Sequence, residues 1–251
     1  MPRSRPFLAG AAVLAVAVLI GAYVAYDQVL SGDSVAPLTL PSNSPASADP
    51  SASTGDGTTS PAVPAASFDG DVTGDWSVAG GSLAGYRVRE RLASLSAESG
   101  AVGRTSDVSG SITIESDGTT ITLTGGTLMV DTTTIASDEA RRDNRLRTEG
   151  LQTEQFPTAT FTVTEPVEIP AAAVAGTAAD LALIGDLTLH GVTKPVSIPV
   201  QAQLVDGTIQ VAGSITFPLA DFDIVAPNVG GFIISIADEG TLEFQVNLTK
   251  G

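Results

Sequence analysis

Between residues 83 and 248 an apolar side chain stands at every second position, in one run after another. In 194–205 the apolar set is Val196, Ile198, Val200, Ala202 and Leu204, separated by Pro195, Ser197, Pro199, Gln201 and Gln203. The split recurs in 158–164 (Ala159, Phe161, Val163), 208–217 (Ile209, Val211, Gly213, Ile215, Phe217) and 241–249 (Leu242, Phe244, Val246, Leu248). Side chains of a strand alternate between the two faces of a sheet, so each run has one oily face and one wet face. About eight such runs are present, the number with which an antiparallel sheet closes into a small barrel. A closed barrel has an inside. Lined with aliphatic groups, it is either a packed core or a pocket for an apolar molecule.

The predicted elements begin at Trp76 and Val78. A strand over 83–92 follows, with Tyr86, Val88 and Glu90 on one face. Arg87, Arg89 and Arg91 occupy the other, read as a solvated stripe that protects the sheet. Strands at 107–115 and 119–131 flank the turn Ser116-Asp117-Gly118. Within the second of them, Gly125-Gly126 shifts the apolar register from Ile121/Leu123 to Leu128/Val130, which predicts a bulge at a barrel corner. The alternation breaks at 137–146 (SDEARRDNRL), with acids first and arginines later, the polarity a helix dipole prefers. One short helix is expected there, capped by Ser137. Strands then resume at 157–164, 181–190, 195–205, 208–217 and 241–249, with an Asp206-Gly207 hairpin. The stretch 219–240 reads as a long loop, of the kind that serves as a lid or binding loop.

Two segments stand outside this pattern. The run 7–26, which opens on Phe7 and ends on Tyr26, carries no charge, and about 20 such residues match the hydrocarbon thickness of a bilayer. Arg3 and Arg5 precede it, and no Lys or Arg follows until Arg87. That asymmetry keeps residues 1–6 in the cytoplasm and sends the rest across the cell membrane. A cleaved signal peptide is the competing reading. The length of the run and bulky Tyr23 three residues before a cut at Ala25 favour an uncleaved single-pass anchor. Residues 27–73 are rich in Ser, Pro, Ala, Gly and Thr, with one apolar cluster from Val35 to Leu40. Too poor in apolar surface to fold, they read as a disordered linker. That leaves one globular domain, 74–251, outside the cytoplasm.

The net charge is −16, with 28 acidic against 12 basic residues and a single histidine. An acidic surface argues against a nucleic-acid partner, since phosphate binding needs a basic face. Cysteine is absent, which removes disulfides, lipid attachment through sulfur and thiol catalysis. Gly80-Gly81-Ser82-Leu83-Ala84 misses the nucleophile elbow at its last position. A lone histidine makes no metal cluster, and the stretch from Asp131 lacks the glycine and closing glutamate of a calcium loop. Nothing here points to an enzyme, a metal or a cofactor. Arg141, Arg142, Asp143 and His190 are candidates for a polar mouth, where arginine pairs well with phosphate. The competing reading is a salt-bridged lid for the helix and, for His190, an imidazole bonded to turn backbone.

These residues carry a resemblance. The strings VDTTTIASDEARRDNRLR (130–147), FPTATFTVTEPVEIP (156–170) and LTLHGVTKPVSIPV (187–200), with GDWSV (74–78) and AGYRVRE (84–90), are similar to the YceI-like family in the family's own order. The resemblance implies a lipocalin-like fold: an eight-stranded antiparallel barrel in which several members hold a polyisoprenoid or other long-chain lipid. It implies apolar ligand binding and not catalysis. The preference for Arg over Lys, ten against two, resembles proteins of high-GC actinobacteria. The family supplies no fixed ligand motif, so lumen residues are nominated by alternation alone. They are Val88, Ile112, Ile114, Leu123, Phe161, Val163, Leu187, Val200, Val211, Ile215, Phe217 and Phe244, together with Phe232 from the long loop. The expected function is binding, carriage or storage of an isoprenoid or similar lipid. The alternative is a non-enzymatic cell-envelope interaction or stress module whose barrel is filled by its own side chains.

Overall fold

The structure is a computed structural model and describes residues 35–41, 70–92, 98–226 and 233–251. Its strands are β1 (Gly74–Val78), β2 (Leu83–Leu92), β3 (Glu98–Thr105), β4 (Val108–Ser116), β5 (Ile121–Asp131), β6 (Thr158–Val163), β7 (Val167–Glu168), β8 (Ala179–Leu189), β9 (Val192–Val205), β10 (Thr208–Pro218) and β11 (Ile233–Lys250). Pairing runs β1-β4-β5-β6-β8-β9-β10-β11 and returns to β1, all antiparallel, so the sheet closes on itself. At the other end of β11 the hairpin β2-β3 carries the wall onward, and a bridge from Arg104 to Ala136 ties β3 to the chain beyond β5. Since β1 and β2 are two halves of one bent strand, and β3 and β4 of another, the wall has the eight staves expected of a small barrel.

Alternation decides which residues face inward. Trp76, Ile114, Leu187, Ile198, Val200 and Val246 are buried, while several strand threonines face out and pair across strands. Thr188 with Thr193 and Thr216 with Thr241 bring hydroxyls to 2.8 Å, the side-chain pairing that stabilises a sheet face. Two hairpins use two-residue turns with positive φ at both positions. These are His190-Gly191 (φ 51 and 77) and Asp206-Gly207 (φ 49 and 73), the geometry that matches strand twist. The predicted bulge is present: the β4–β5 register slips between Thr113 and Ile114, opposite Gly125 and Leu123.

Several expectations need correction. The helix, α1 (Ala140–Arg145), is capped by Glu139, whose carboxylate accepts from the Arg141 N–H, and not by Ser137. Ser137 instead gives its N–H and hydroxyl to Asp143 Oδ1, at 3.0 and 2.6 Å. A widened turn, Leu146–Gly150, extends the helix, and a four-residue turn, α2 (Ala171–Val174), was not anticipated. Strand β3 was not expected either, because ESGAVGRT carries too few apolar residues to show a period of two. The long loop is shorter than read. Leu219–Phe222 forms a 3-10 turn with Phe222 1% exposed, and β11 begins at Ile233. The domain starts before Gly74, since Val72 is 5% exposed within the core. Part of the expected linker is also placed, with segment 35–41 lying against the outer wall. The anchor run 7–26 lies outside the described residues, among which no helix is long and apolar enough to cross a membrane.

Candidate functional site: the barrel lumen

The barrel is closed at one end and roomy at the other. Trp76 forms the floor, fully buried, its indole N–H donating to the Val72 carbonyl at 2.9 Å. Around it pack Ile114, Leu204, Val246 and Leu248. Above this layer lies an inner chamber of about 120 Å³, which α2 borders through Ala173 and Val174. Nearer the mouth is an outer chamber of about 380 Å³, bordered by α1 and by Leu219, Ile224 and Ala226. Leu128, Phe161 and Phe244 line both chambers and form the partition between them.

Every nominated lumen residue that the structure describes lines one chamber or the other. Val88, Leu187, Ile215 and Phe217 face the outer one. Ile112, Ile114, Leu123, Val163, Val200 and Val211 face the inner one. Phe161 and Phe244 belong to both. Phe232 lies outside the described residues. Alternation missed the wall contributed by irregular segments, such as Ile135, Leu146, Leu151 and Leu219, because those residues obey no strand period.

The polar candidates divide. Arg141 and Arg142 line the outer chamber, joined by Arg145 from the same helix and by its capping residue Glu139. Arg142 also bonds Asp138 and Ser137, the ion pairing the lid reading described, while it borders the chamber. Asp143 is 7% exposed and bonded to Ser137, which pins α1 to the preceding segment. His190 is absent from both linings. Its Nδ1 lies 3.0 Å from the Phe222 carbonyl and its ring stands edge-on to Phe156, with centroids 4.7 Å apart. It is a buried turn histidine, as its backbone-bonded reading had it. Gly191 beside it has no room for a side chain, because an added Cβ would lie 2.5 Å from the Phe156 ring.

The arginine stripe of β2 is not simply solvated. Arg87 Nε donates to Glu243 Oε2 at 2.6 Å, and Arg104 Nη2 to Oε1 at 2.7 Å, around a carboxylate whose side chain is 2% exposed. Burial pushes the Glu243 carboxyl upward. Hydrogen bonds from Arg87, Arg104 and the Leu38 N–H outweigh it and hold the group below its usual value. Among the described residues no three His, Asp or Glu side chains gather as a metal site would require.

The fold and the lumen together define a closed antiparallel barrel with an apolar, two-chambered interior. The chain belongs to the YceI-like family: residues 82–248 match the model of the YceI-like domain. Protein YceI of Escherichia coli O17:K52:H18 is 40% identical over 77 residues, 30% of this chain and 35% of that protein. A UPF0312 protein of Vibrio parahaemolyticus is 35% identical over 106 residues, 39% of this chain and 51% of the relative. The chain thus spans between a third and a half of the length of these relatives. Among solved structures, a polyisoprenoid binding domain from Saccharophagus degradans, implicated in plant cell wall breakdown, has the same fold. It has a TM-score of 0.55 and 20% identity, covering 70% of this chain and 98% of that one.

Proposed function

We propose that this chain is a non-catalytic carrier or reservoir for a long-chain apolar ligand, a polyisoprenoid or similar lipid. The barrel would stand outside the cytoplasm on an N-terminal membrane anchor. The outer chamber of about 380 Å³ carries the reading. It exceeds the roughly 300 Å³ at which ligand pockets begin, and its walls are mostly aliphatic and aromatic, with charged side chains at the α1 side. A barrel jammed with its own side chains would offer no such space. The polyisoprenoid-binding relative of the same fold gives the ligand class its support.

The physics favours exchange over capture. Moving a chain from water into the lumen gains about 0.8 kcal/mol per CH₂. Moving it from a bilayer gains almost nothing, since both environments are dry. Transfer therefore runs near balance, and selectivity falls to chamber shape and to the headgroup. At the mouth, three arginines of α1 against Glu139 suit an anionic headgroup such as a phosphate. Mass spectrometry of lipid extracted from natively purified protein tests the reading. A prenyl or acyl lipid in near-stoichiometric amount is expected. An empty barrel that takes up neither class of chain overturns it.

A further inference from the structure

Three positions on the outside of the barrel wall are buried although their register turns them toward solvent. On β10, Val211 lines the inner chamber, and a Cβ at Gly213 would meet Val200 and Phe244. Ala212 between them therefore points outward, yet it is only 5% exposed. Gln203 on β9 and Glu243 on β11 flank it and are 5% and 3% exposed.

Segment 35–41 (VAPLTLP) supplies the cover. Its Ala36 carbonyl accepts from Arg104 on β3, and its Leu38 N–H donates to Glu243 on β11 at 3.3 Å. Gln203 on β9 donates to its Pro41 carbonyl at 3.4 Å. The three contacts fall on β3, β11 and β9 in the order in which the wall presents those strands. The segment thus runs across the sheet as a strap, without adding a strand to it. Reach agrees with this path. Three extended residues from Leu38 to Pro41 span about 10 Å, and β9 stands two strand spacings, about 10 Å, from β11. Leu38 and Leu40 are half-buried while Pro37, Thr39 and Pro41 are exposed, so one face of the segment meets the wall. Its prolines favour the extended form in advance of docking.

The strap has a direction. Arg104, at its N-terminal end, bridges to Ala136 just before α1, at the mouth. Gln203, at its C-terminal end, lies beside the Asp206-Gly207 hairpin, toward the Trp76 floor. We infer that segment 35–41 is a docking strap that clips the leader to the barrel wall and so holds the mouth close to the membrane. The consequence for the membrane rests on the anchored-carrier reading above. An undocked coil of residues 27–73 has a root-mean-square span of roughly 35–40 Å. With the strap seated, only residues 27–34 separate run 7–26 from the wall, a span of about 15 Å. The chain then leaves the strap at the mouth end, where a lipid would enter.

The test uses the full chain in phosphatidylcholine nanodiscs, and the absence of native cysteine allows single labels. Amide hydrogen exchange reads docking, and energy transfer from a dye at Asn144→Cys on α1 to a lipid-borne acceptor reads the distance. The double variant Leu38→Asp, Leu40→Asp removes the strap's apolar face and leaves every barrel residue in place. In the unaltered chain, the amide of residue 38, which donates to Glu243, is expected to exchange at least tenfold more slowly than in the variant. Energy transfer is expected to fall in the variant as the mean span roughly doubles. An unprotected residue-38 amide in the unaltered chain, or transfer that the variant leaves unchanged, overturns the inference. So does protection that disappears on dilution, which would place the segment on a second copy. Lipid content is measured on the same samples, so a docked strap on an empty barrel retires the carrier reading and leaves the strap standing.

Discussion

Ala159→Phe separates an open lumen from a packed one, because the two predict opposite signs for the same substitution. Ala159 lies on β6, in step with Phe161 and Val163, and lines the outer chamber. A cavity of about 150 Å³ holds a benzene ring, so the new phenyl group takes less than half of the 380 Å³ available. Filling empty apolar space of this kind commonly stabilises by about 0.5–2 kcal/mol. Forcing the same ring into a packed core costs about 1–3 kcal/mol. Ligand binding should respond the other way. If the ring displaces four methylenes of a bound chain, the loss is about 3 kcal/mol, or roughly 200-fold in affinity. Urea denaturation of delipidated protein and equilibrium uptake of a fluorescent prenyl probe measure the two quantities. The expected result is a higher denaturation midpoint with much weaker uptake. A lower midpoint would mean that the chamber is not empty. An unchanged uptake would mean that lipid sits elsewhere.

Three further outcomes follow from the same geometry. Trp76→Ala should cost about 3–5 kcal/mol, and Trp76→Phe about 1 kcal/mol for the lost hydrogen bond to Val72, both read by denaturation followed with circular dichroism. Asp143→Asn should loosen α1 without unfolding the barrel, since Asp143 Oδ1 accepts both the N–H and the hydroxyl of Ser137; faster amide exchange across 137–146 with an unchanged strand core would show it. Glu243 titrates below its unfolded value near 4.5, so its contribution is fully present above that pH and is lost as pH falls through the lower folded value. The melting temperature should therefore decline below about pH 4.5, and Glu243→Gln should be less stable at neutral pH yet show a shallower acid decline. An equally steep decline in that variant would assign acid sensitivity to other carboxylates. Two candidates are Asp71, held low by Thr73, and Asp117, held low by the Thr120 and Thr119 N–H groups.

What the sequence made legible follows from how the physics is distributed. A period of two states which face a side chain takes, so the barrel and its inner wall could be read from residues such as Phe161, Val200 and Phe244. The same rule is silent where no period exists. Strand β3 is held by its pairing with β2, a tertiary cause that composition does not display. Leu146, Leu151 and Ile224 reach the lumen from turns, and no local pattern announces a turn residue that folds back over a barrel mouth. Ser137 was the better cap by residue type, yet Asp143 claims its hydroxyl, and Glu139 takes the role. Glu243 could not be singled out, because its two arginines come from β2 and β3, 156 and 139 residues away.

The buried carboxylate of Glu243 links the wall to the question of function. A charged group with its side chain 2% exposed on the outside of a barrel is costly unless its lone pairs are all occupied. Arg87 and Arg104 neutralise it, and the Leu38 N–H supplies a further donor. Remove the strap, and the carboxylate regains water, so docking is favoured only modestly by that bond and chiefly by covering Leu38, Leu40 and Ala212. On the anchored-carrier proposal, modest docking suits a device beside a bilayer, where lipid transfer would itself be nearly balanced in free energy. A strap that never let go would fix the mouth at one distance. On the same proposal, a tether that never docked would let the mouth wander tens of ångströms from the membrane.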